Sequence, residues 1–329
     1  MPGSVPEISV AVPVFNEERC LPELYRRVRE TMERAGLDWE LVVADDGSED
    51  RTREILRGLA ERDQRVKGVL LSRNFGHTPA YMASMEHARG EWVVVMDGDL
   101  QDEPEVIPQL LARAREGYDV VYAIKGKRQE GRAMRMAFSG YYRVASRLSS
   151  VPQPAHAGPF CLMSRRVVDE ISRIPERSVF FPGVRAYVGF RQTGVEVARP
   201  AREDGASRIR LARRIAGALD GIFAFSHVPL RLATYLGAAT AFLAGVLGVV
   251  FLYLGAFTDV PVAGWTSLIT VILVLGGVQL LTLGILGEYL GRVYEEVKGR
   301  PRYVVAERVN LGEDEAAEPS PTLAERDGR

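Results

Sequence analysis

The chain has 329 residues, enough for one catalytic domain and one further module, and its formal net charge is −1 at neutral pH. So even a balance gives no reason to expect a nucleic-acid partner. Its two cysteines, Cys20 and Cys161, lack metal-ligand spacing and lie too far apart to argue for a disulfide, which fits a reducing compartment. Met1 to Glu7 carry neither the basic start nor the apolar core of a signal peptide, so the route to a membrane is sought elsewhere.

In chain order, apolar runs at Ile8–Phe15, Glu40–Ala44, Lys67–Leu71, Trp92–Met96 and Asp119–Ile124 read as strands. Leu21, Leu24, Val28 and Met32 recur at helical spacing between the first two, and Ile55 and Leu59 in the next connection. This alternation predicts an α/β domain with a mostly parallel sheet and helices on both faces. Such sheets bind ligands beyond the carboxyl ends of their strands. The polar clusters fall there: Asn16-Glu17-Glu18, Asp45-Asp46-Gly47-Ser48 and Asp97-Gly98-Asp99.

Further on, Lys125 to Arg147 is basic and leads into a predicted helix around Met134–Leu148, and Pro152 to Pro159 reads as a loop. Arg210 to Ser226 sets Leu211, Ile215, Leu219, Ile222 and Phe223 on one face, the pattern of a helix lying in a membrane interface or of an amphipathic surface helix. Leu232 to Thr258 and Val260 to Gly287 hold, apart from Asp259 between them, no charged residue, and each exceeds the roughly 20 residues that cross a hydrocarbon core. Their outer flanks carry Arg208, Arg210, Arg213, Arg214 and Arg231 on one side, and Arg292, Lys298, Arg300 and Arg302 on the other. The positive-inside rule puts both flanks in the cytoplasm. The expected plan is a cytoplasmic catalytic domain over 1–209, an interfacial helix over 210–228, a two-helix transmembrane hairpin over 229–292 and a cytoplasmic tail over 293–329, disordered from about 310. Both termini are then cytoplasmic, on a multi-pass protein of the inner (plasma) membrane.

The chemistry concentrates at Asp97 and Asp99. Residues two apart on extended chain face the same side, and Gln101 continues the period, so three oxygen ligands are expected to meet one ion. Mg²⁺ or Mn²⁺ suits such ligands and takes the rest from phosphates and water. Bridged to a diphosphate, the ion improves it as a leaving group. Asp45 and Asp46 read equally as turn or cap residues and as contacts to a base or ribose.

Four motifs occur in order: Val12-Pro13-Val14-Phe15-Asn16-Glu17, Asp45-Asp46-Gly47-Ser48, Arg73-Asn74-Phe75-Gly76-His77, and Asp97-Gly98-Asp99-Leu100-Gln101-Asp102-Glu103-Pro104-Glu105. Together with Arg202-Glu203-Asp204-Gly205-Ala206-Ser207-Arg208, they make a sequence that resembles glycosyltransferase family 2. Within it, the chain is similar to the dolichol- and undecaprenyl-phosphate glycosyltransferases. The resemblance spans roughly residues 8 to 300 and implies a GT-A fold and an inverting transfer from a nucleotide sugar to a polyprenyl phosphate at the bilayer surface. It further implies that Pro13, Phe15, Glu17, Val43, Asp45, Asp97 and Gly98 hold the nucleotide sugar. Asp97, Asp99 and Gln101 hold the metal, and Arg128, Arg202 and Arg208 bind phosphates. Asp97, Asp99, Arg202 and Ser207 form the implied catalytic set. Self-association is left open.

This sequence departs from the family pattern at one segment. Related enzymes carry an Asp-Ala-Gly-Asp-Phe-Arg-like stretch where His156-Ala157-Gly158-Pro159-Phe160-Cys161 stands here, so the second Asp falls on Pro159 and the Arg on Cys161. Arg208 also replaces the usual lysine. A phosphate monoester has a second pKa of about 6, so it attacks without a general base, whereas an alcohol would need one. The missing carboxylate therefore favours a phosphate acceptor. Two other readings stand beside this one. A processive polysaccharide synthase usually has a Gln-x-x-Arg-Trp segment that Gln192-Thr193-Gly194-Val195 does not match. A catalytically silent membrane scaffold is opposed by the intact Asp97 and Asp99.

Overall fold

The computed structural model describes residues 5–125, 157–176, 181–197, 228–257 and 264–312. They divide into two units, one holding 228–257 and 264–298, the other holding the rest.

The first unit is built on an eight-stranded sheet. Its strands are β1 (Ile8–Val14), β2 (Trp39–Asp45), β3 (Val66–Leu71), β4 (Trp92–Val95), β5 (Val120–Lys125), β6 (Ala157–Ser164), β7 (Gln192–Val197) and β8 (Val305–Val309), in the order β7-β5-β6-β4-β1-β2-β3-β8. The four central strands run parallel. On one side β6 is antiparallel to both β4 and β5, and β7 is parallel to β5; on the other, β8 is antiparallel to β3. Every residue of β1 and β2 is buried, as expected of strands covered on both faces.

Helices α1 (Leu21–Ala35), α2 (Thr52–Arg62) and α4 (Ile107–Ala114) lie against one face, while α3 (His77–Glu86), α5 (Arg165–Arg173) and α6 (Phe181–Tyr187) lie against the other. α1 sends Leu21, Leu24, Val28 and Met32 onto Ile8, Val10 and Val12, the periodicity read in the sequence. Gly36 ends that helix in the left-handed region at φ 65°. The mostly parallel α/β class agrees with expectation.

Three parts of this sheet were not read in the sequence. The segment predicted as loop through Pro159 is in part β6, and β7 went unnoticed. The segment read as tail supplies β8, so the chain rejoins the sheet after the second unit. The Ser72 N–H donates to the Val304 carbonyl at 2.9 Å beside it.

The second unit holds α7 (Val228–Phe257) and α8 (Trp265–Val297), which pack on each other. Both are long and apolar enough to cross a membrane, and their most apolar stretches, Ala233–Val250 and Val274–Val297, are almost wholly exposed. Buried core helices would be covered, so this surface is suited to lipid. α8 continues past the predicted end of the hairpin at residue 292 to Val297, stitched by the Arg292–Glu288 and Lys298–Glu295 pairs.

Candidate active site

The carboxyl ends of β1, β2 and β4 open onto a cleft of about 440 Å³, lined by Pro13, Val14, Phe15, Glu17, Asp46, Asn74, Gly76, His77, Ala80, Asp97, Gly98 and Asp99. Backbone N–H groups after β1 are tied to the loop after β2. Asn16 donates to Ser48 Oγ at 2.9 Å, Glu17 to Thr52 Oγ1 at 2.9 Å, and Asn16 Oδ1 accepts from Glu49 N–H at 2.8 Å. Asn16 takes φ 56°, a left-handed conformation that asparagine tolerates. These bonds fix the wall from which Phe15 projects, 44 % exposed.

The two aspartates at the carboxyl end of β2 divide their work. Asp45 is fully buried, takes Arg53 Nε at 2.6 Å and accepts from Ser48 N–H at 3.2 Å. Asp46 faces the cleft and accepts from the N–H groups of Phe75 at 2.7 Å and Gly76 at 3.0 Å. Burial pushes its carboxyl above the usual range, against the pull of those two bonds. Gly47, which follows them, cannot carry a side chain: at φ +77°, a Cβ would stand 2.4 Å from the Asn74 nitrogen.

The acidic turn after β4 is not extended. β4 ends at Val95, Gly98 and Asp99 form a turn, and Leu100 lies at φ 62°. The two-residue alternation expected to align Asp97, Asp99 and Gln101 therefore fails. Asp97 and Asp99 both reach the cleft, but Gln101 does not line it; its N–H instead donates to Asp99 Oδ1 at 3.1 Å. Asp102 anchors the turn by accepting from Asp97 N–H at 3.0 Å. Gly98 packs so closely on β1 that a Cβ would come 2.9 Å from Val14 Cγ1 and 3.0 Å from the Pro13 oxygen.

Asp97 is gripped from α3. The Tyr81 hydroxyl donates to Asp97 Oδ1, and His77 Nε2 lies 3.1 Å from the same oxygen. Glu17 lines the opposite wall with its carboxyl raised by burial, and the negative charges of Asp99 and Asp50 push it the same way. Beside it Cys20 is pushed up to about 11 by burial and by its bond to Glu17, so it stays a thiol.

Of the residues expected to bind the nucleotide sugar, the cleft gathers Pro13, Phe15, Glu17, Asp97 and Gly98. Val43 is buried within β2 and Asp45 behind the wall, so neither lines it. Arg128, Arg202, Ser207 and Arg208 lie outside the described residues, as do His156 and residues 210–227 of the helix expected over 210–228, whose last residue, Val228, begins α7. The sequence left Asp46 open between a turn or cap and a base or ribose contact, and assigned no role to Asn74, Gly76, His77 or Tyr81. The signal was available for Asn74, Gly76 and His77, since Arg73 to His77 follows β3 as the acidic clusters follow β2 and β4.

A family model described as Glycosyl transferase family 2 matches residues 9–172. The chain is 42 % identical over 300 residues to the uncharacterized glycosyltransferase YkcC of Bacillus subtilis, covering 91 % of this chain and 93 % of that one. The chain belongs to glycosyl transferase family 2. It is also 40 % identical over 300 residues to the bactoprenol glucosyl transferase of Shigella phage SfII, covering 91 % of this chain and 97 % of that protein. Among solved structures, mannosyl-3-phosphoglycerate synthase from Rubrobacter xylanophilus aligns at a TM-score of 0.48 and 20 % identity, over 67 % of this chain and 73 % of that one. The mannosyltransferase PcManGT from Pyrobaculum calidifontis, in complex with GDP-Man and Mn²⁺, gives 0.45 and 18 % over 90 % and 88 %. The protein is a glycosyltransferase, and the cleft beyond β1, β2 and β4 is its candidate active site.

Proposed function

We propose that this glycosyltransferase moves a sugar, with glucose the first candidate, from a nucleotide sugar to a polyprenyl phosphate at the cytoplasmic face of a membrane. The observation that carries the reading is the 40 % identity over 91 % of the chain to a bactoprenol glucosyl transferase. The placement of an acidic cleft and two exposed apolar helices in one chain supports it. A polyprenyl tail stays in lipid, and a soluble enzyme would have to extract it against a large hydrophobic cost.

In this reading the half-exposed Phe15 ring stacks on the nucleoside base, and Glu17 and Asp46 offer acceptors to base or ribose hydroxyls. Asp97 and Asp99 hold Mg²⁺ or Mn²⁺. Two carboxylates on a cleft wall fit such an ion, which takes one or two from protein and completes its shell with phosphates and water. When bound, it neutralises the charge of the departing nucleoside diphosphate. Tyr81 and His77 fix the rotation of the Asp97 carboxylate. The lipid phosphate, largely a dianion near neutral pH, attacks the anomeric carbon from the face opposite the leaving diphosphate, inverting it. Arg128, Arg202 and Arg208 are assigned to phosphate oxygens and Ser207 to their loop, on family resemblance alone. The positive flanks of the two apolar helices support a cytoplasmic catalytic domain and cytoplasmic termini.

The test is a transfer assay on purified protein in detergent with undecaprenyl phosphate, Mg²⁺ or Mn²⁺ and labelled UDP-, GDP- and dTDP-sugars. Label reaching the organic phase with one donor, and lost with EDTA, is the expected result. Folded protein that transfers from no donor would overturn the reading and favour the scaffold.

A further inference from the structure

Arg185 takes no part in the cleft described above, yet it is the most conspicuous buried charge in the first unit. It lies in α6 with 1 % of its surface exposed, and its Nε and Nη2 atoms have no hydrogen-bond partner. Nη1 donates to the Gly158 carbonyl at 3.0 Å. The guanidinium sits 5.2 Å from the Tyr122 ring centroid and 6.0 Å from that of Phe181, and it stands beside the Cys161 thiol. Among the described residues no carboxylate pairs with it.

Burying a guanidinium without a counter-ion is costly, and a fold that needed only to fill this volume would use an apolar side chain. Two idle nitrogens held in a planar fork match the oxygens of a phosphate.

The location agrees. The β4–β6 ladder ends at the pair Val95–Cys161. From that end, Met96-Asp97-Gly98 leaves one strand and Phe160-Pro159-Gly158 joins the other. Arg185 therefore holds the backbone that flanks the acidic turn. A second link runs through Phe181, on the same helix. Its ring stacks on Tyr81 with centroids 5.8 Å apart and planes 5° from parallel, and Tyr81 binds Asp97. The space beside Gly158 is open, since a Cβ there would meet nothing within 4 Å. An oxyanion entering at that point arrives next to the carbonyl that the guanidinium already holds.

We propose that Arg185 is a phosphate-binding residue of the active centre, supplying a cation from α6 beside the acidic turn. The Arg185 side chain also reaches the Cys161 thiol, at the end of the β4–β6 ladder beside the acidic turn. The inference rests on the transfer reading above. Its ligand is a phosphate oxygen, either of the nucleoside diphosphate or of the lipid phosphate.

The experiment compares the full-length parent with Arg185→Met, Arg185→Lys and the exchange variant Cys161→Arg/Arg185→Met in detergent. Three quantities are read: the Kd of UDP with Mn²⁺, the KM for undecaprenyl phosphate, and the melting temperature. Loss of a charge-assisted bond predicts that Arg185→Met weakens one of the two phosphate readings about tenfold or more. The Lys variant falls between, and the exchange variant regains much of the loss. A change in UDP affinity assigns the donor diphosphate; a change in KM with UDP affinity intact assigns the acceptor. Parental Kd and KM in Arg185→Met overturn the proposal, as does a fall in melting temperature, shared by the Lys variant, without a change in either reading. A parent inactive with undecaprenyl phosphate overturns the proposed acceptor instead, and Arg185 then stands or falls on UDP affinity alone.

Discussion

The Tyr81 hydroxyl, on the helix after β3, donates to the Asp97 carboxylate in the turn after β4. Burial and the negative charge of Asp97 raise the Tyr81 hydroxyl far above its usual range, so it remains a donor throughout the physiological range. One carboxylate oxygen is thereby spoken for, and its rotation is fixed before any ligand arrives. Preorganised ligands of this kind bind metal more tightly than freely rotating ones.

Tyr81→Phe keeps the ring stacked on Phe181 and removes only the bond. The Mn²⁺ concentration for half-maximal transfer should rise about tenfold, in the range that loss of a supporting bond to a metal ligand costs. Titrating activity against Mn²⁺ at saturating donor reads this directly. An unchanged titration curve would mean that the bond to Asp97 does not tune the ion.

Asp97→Asn keeps the shape of the turn and removes the charge. Transfer should fall about a hundredfold or more, the scale of losing electrostatic stabilisation of a leaving group. Membrane insertion should be unaffected, because α7 and α8 belong to a separate unit. Activity at near-parental rate in the membrane fraction would remove Asp97 from the proposed metal site.

Asp45 and Asp46 separate cleanly into stability and binding. Asp45→Asn gives up the charge opposite Arg53, 2.6 Å away at a fully buried position, and should lower the melting temperature by several degrees. Asp46→Ala leaves the Phe75 and Gly76 N–H groups without their acceptor and loosens the Asn74–His77 wall of the cleft. Its expected signature is a weaker Kd for UDP with a smaller thermal loss, read by calorimetry and thermal unfolding. The reverse pattern would return Asp45 to the binding set.

The five strands from β1 to β5 were legible because each is a short apolar run ended by a polar cluster, and the site follows from where those runs end. α3 was hidden for a physical reason: Ala80, Tyr81, Met82, Ala83, Ser84 and Met85 are all buried, so the helix has no polar face to set a period. β6 contains Gly158 and Pro159, which read as loop, yet its apolar Phe160-Cys161-Leu162-Met163 pairs with β4. β8 is polar, Val-Ala-Glu-Arg-Val, as suits an edge strand with little to bury. The geometry of the acidic turn was lost because an Asp-Gly-Asp run does not announce the positive φ at Leu100.

Asp63 gives the fold a pH signature. Burial works against its charge, but bonds from Arg65 at 2.8 Å and the Tyr25 hydroxyl at 2.9 Å hold the carboxyl down at about 2. A depressed carboxyl stabilises the fold above its unfolded value of about 3.9 and stops doing so as pH falls through the folded one. Asp63→Asn should therefore cost on the order of 1 kcal/mol at pH 7, after allowance for solvent screening. That difference should shrink below about pH 4 and vanish near pH 2. Thermal unfolding of both proteins across this range checks it; a difference independent of pH would assign the loss to packing.

The chain that leaves α8 closes the sheet through more than β8. The Tyr303 hydroxyl donates to Glu86 Oε2 at 2.5 Å, Arg302 approaches Glu86 Oε1 at 3.4 Å, and Asn310 Nδ2 donates to the carbonyls of Ala60 at 2.7 Å and Val66 at 2.9 Å. Burial raises the Glu86 carboxyl, and Tyr303 and Arg302 pull it back. Tyr303→Phe leaves one oxygen of this enclosed carboxyl without its donor, which should destabilise the first unit by about 1–3 kcal/mol. Ending the chain after Arg300 should go further, because it bares the whole edge of β3 and its row of unpaired backbone groups. The expected outcome is aggregation of the truncated protein in detergent, followed by light scattering, with the full-length protein as control. A truncated chain that stays monodisperse and melts with the parent would reduce β8 to an ornament of the edge.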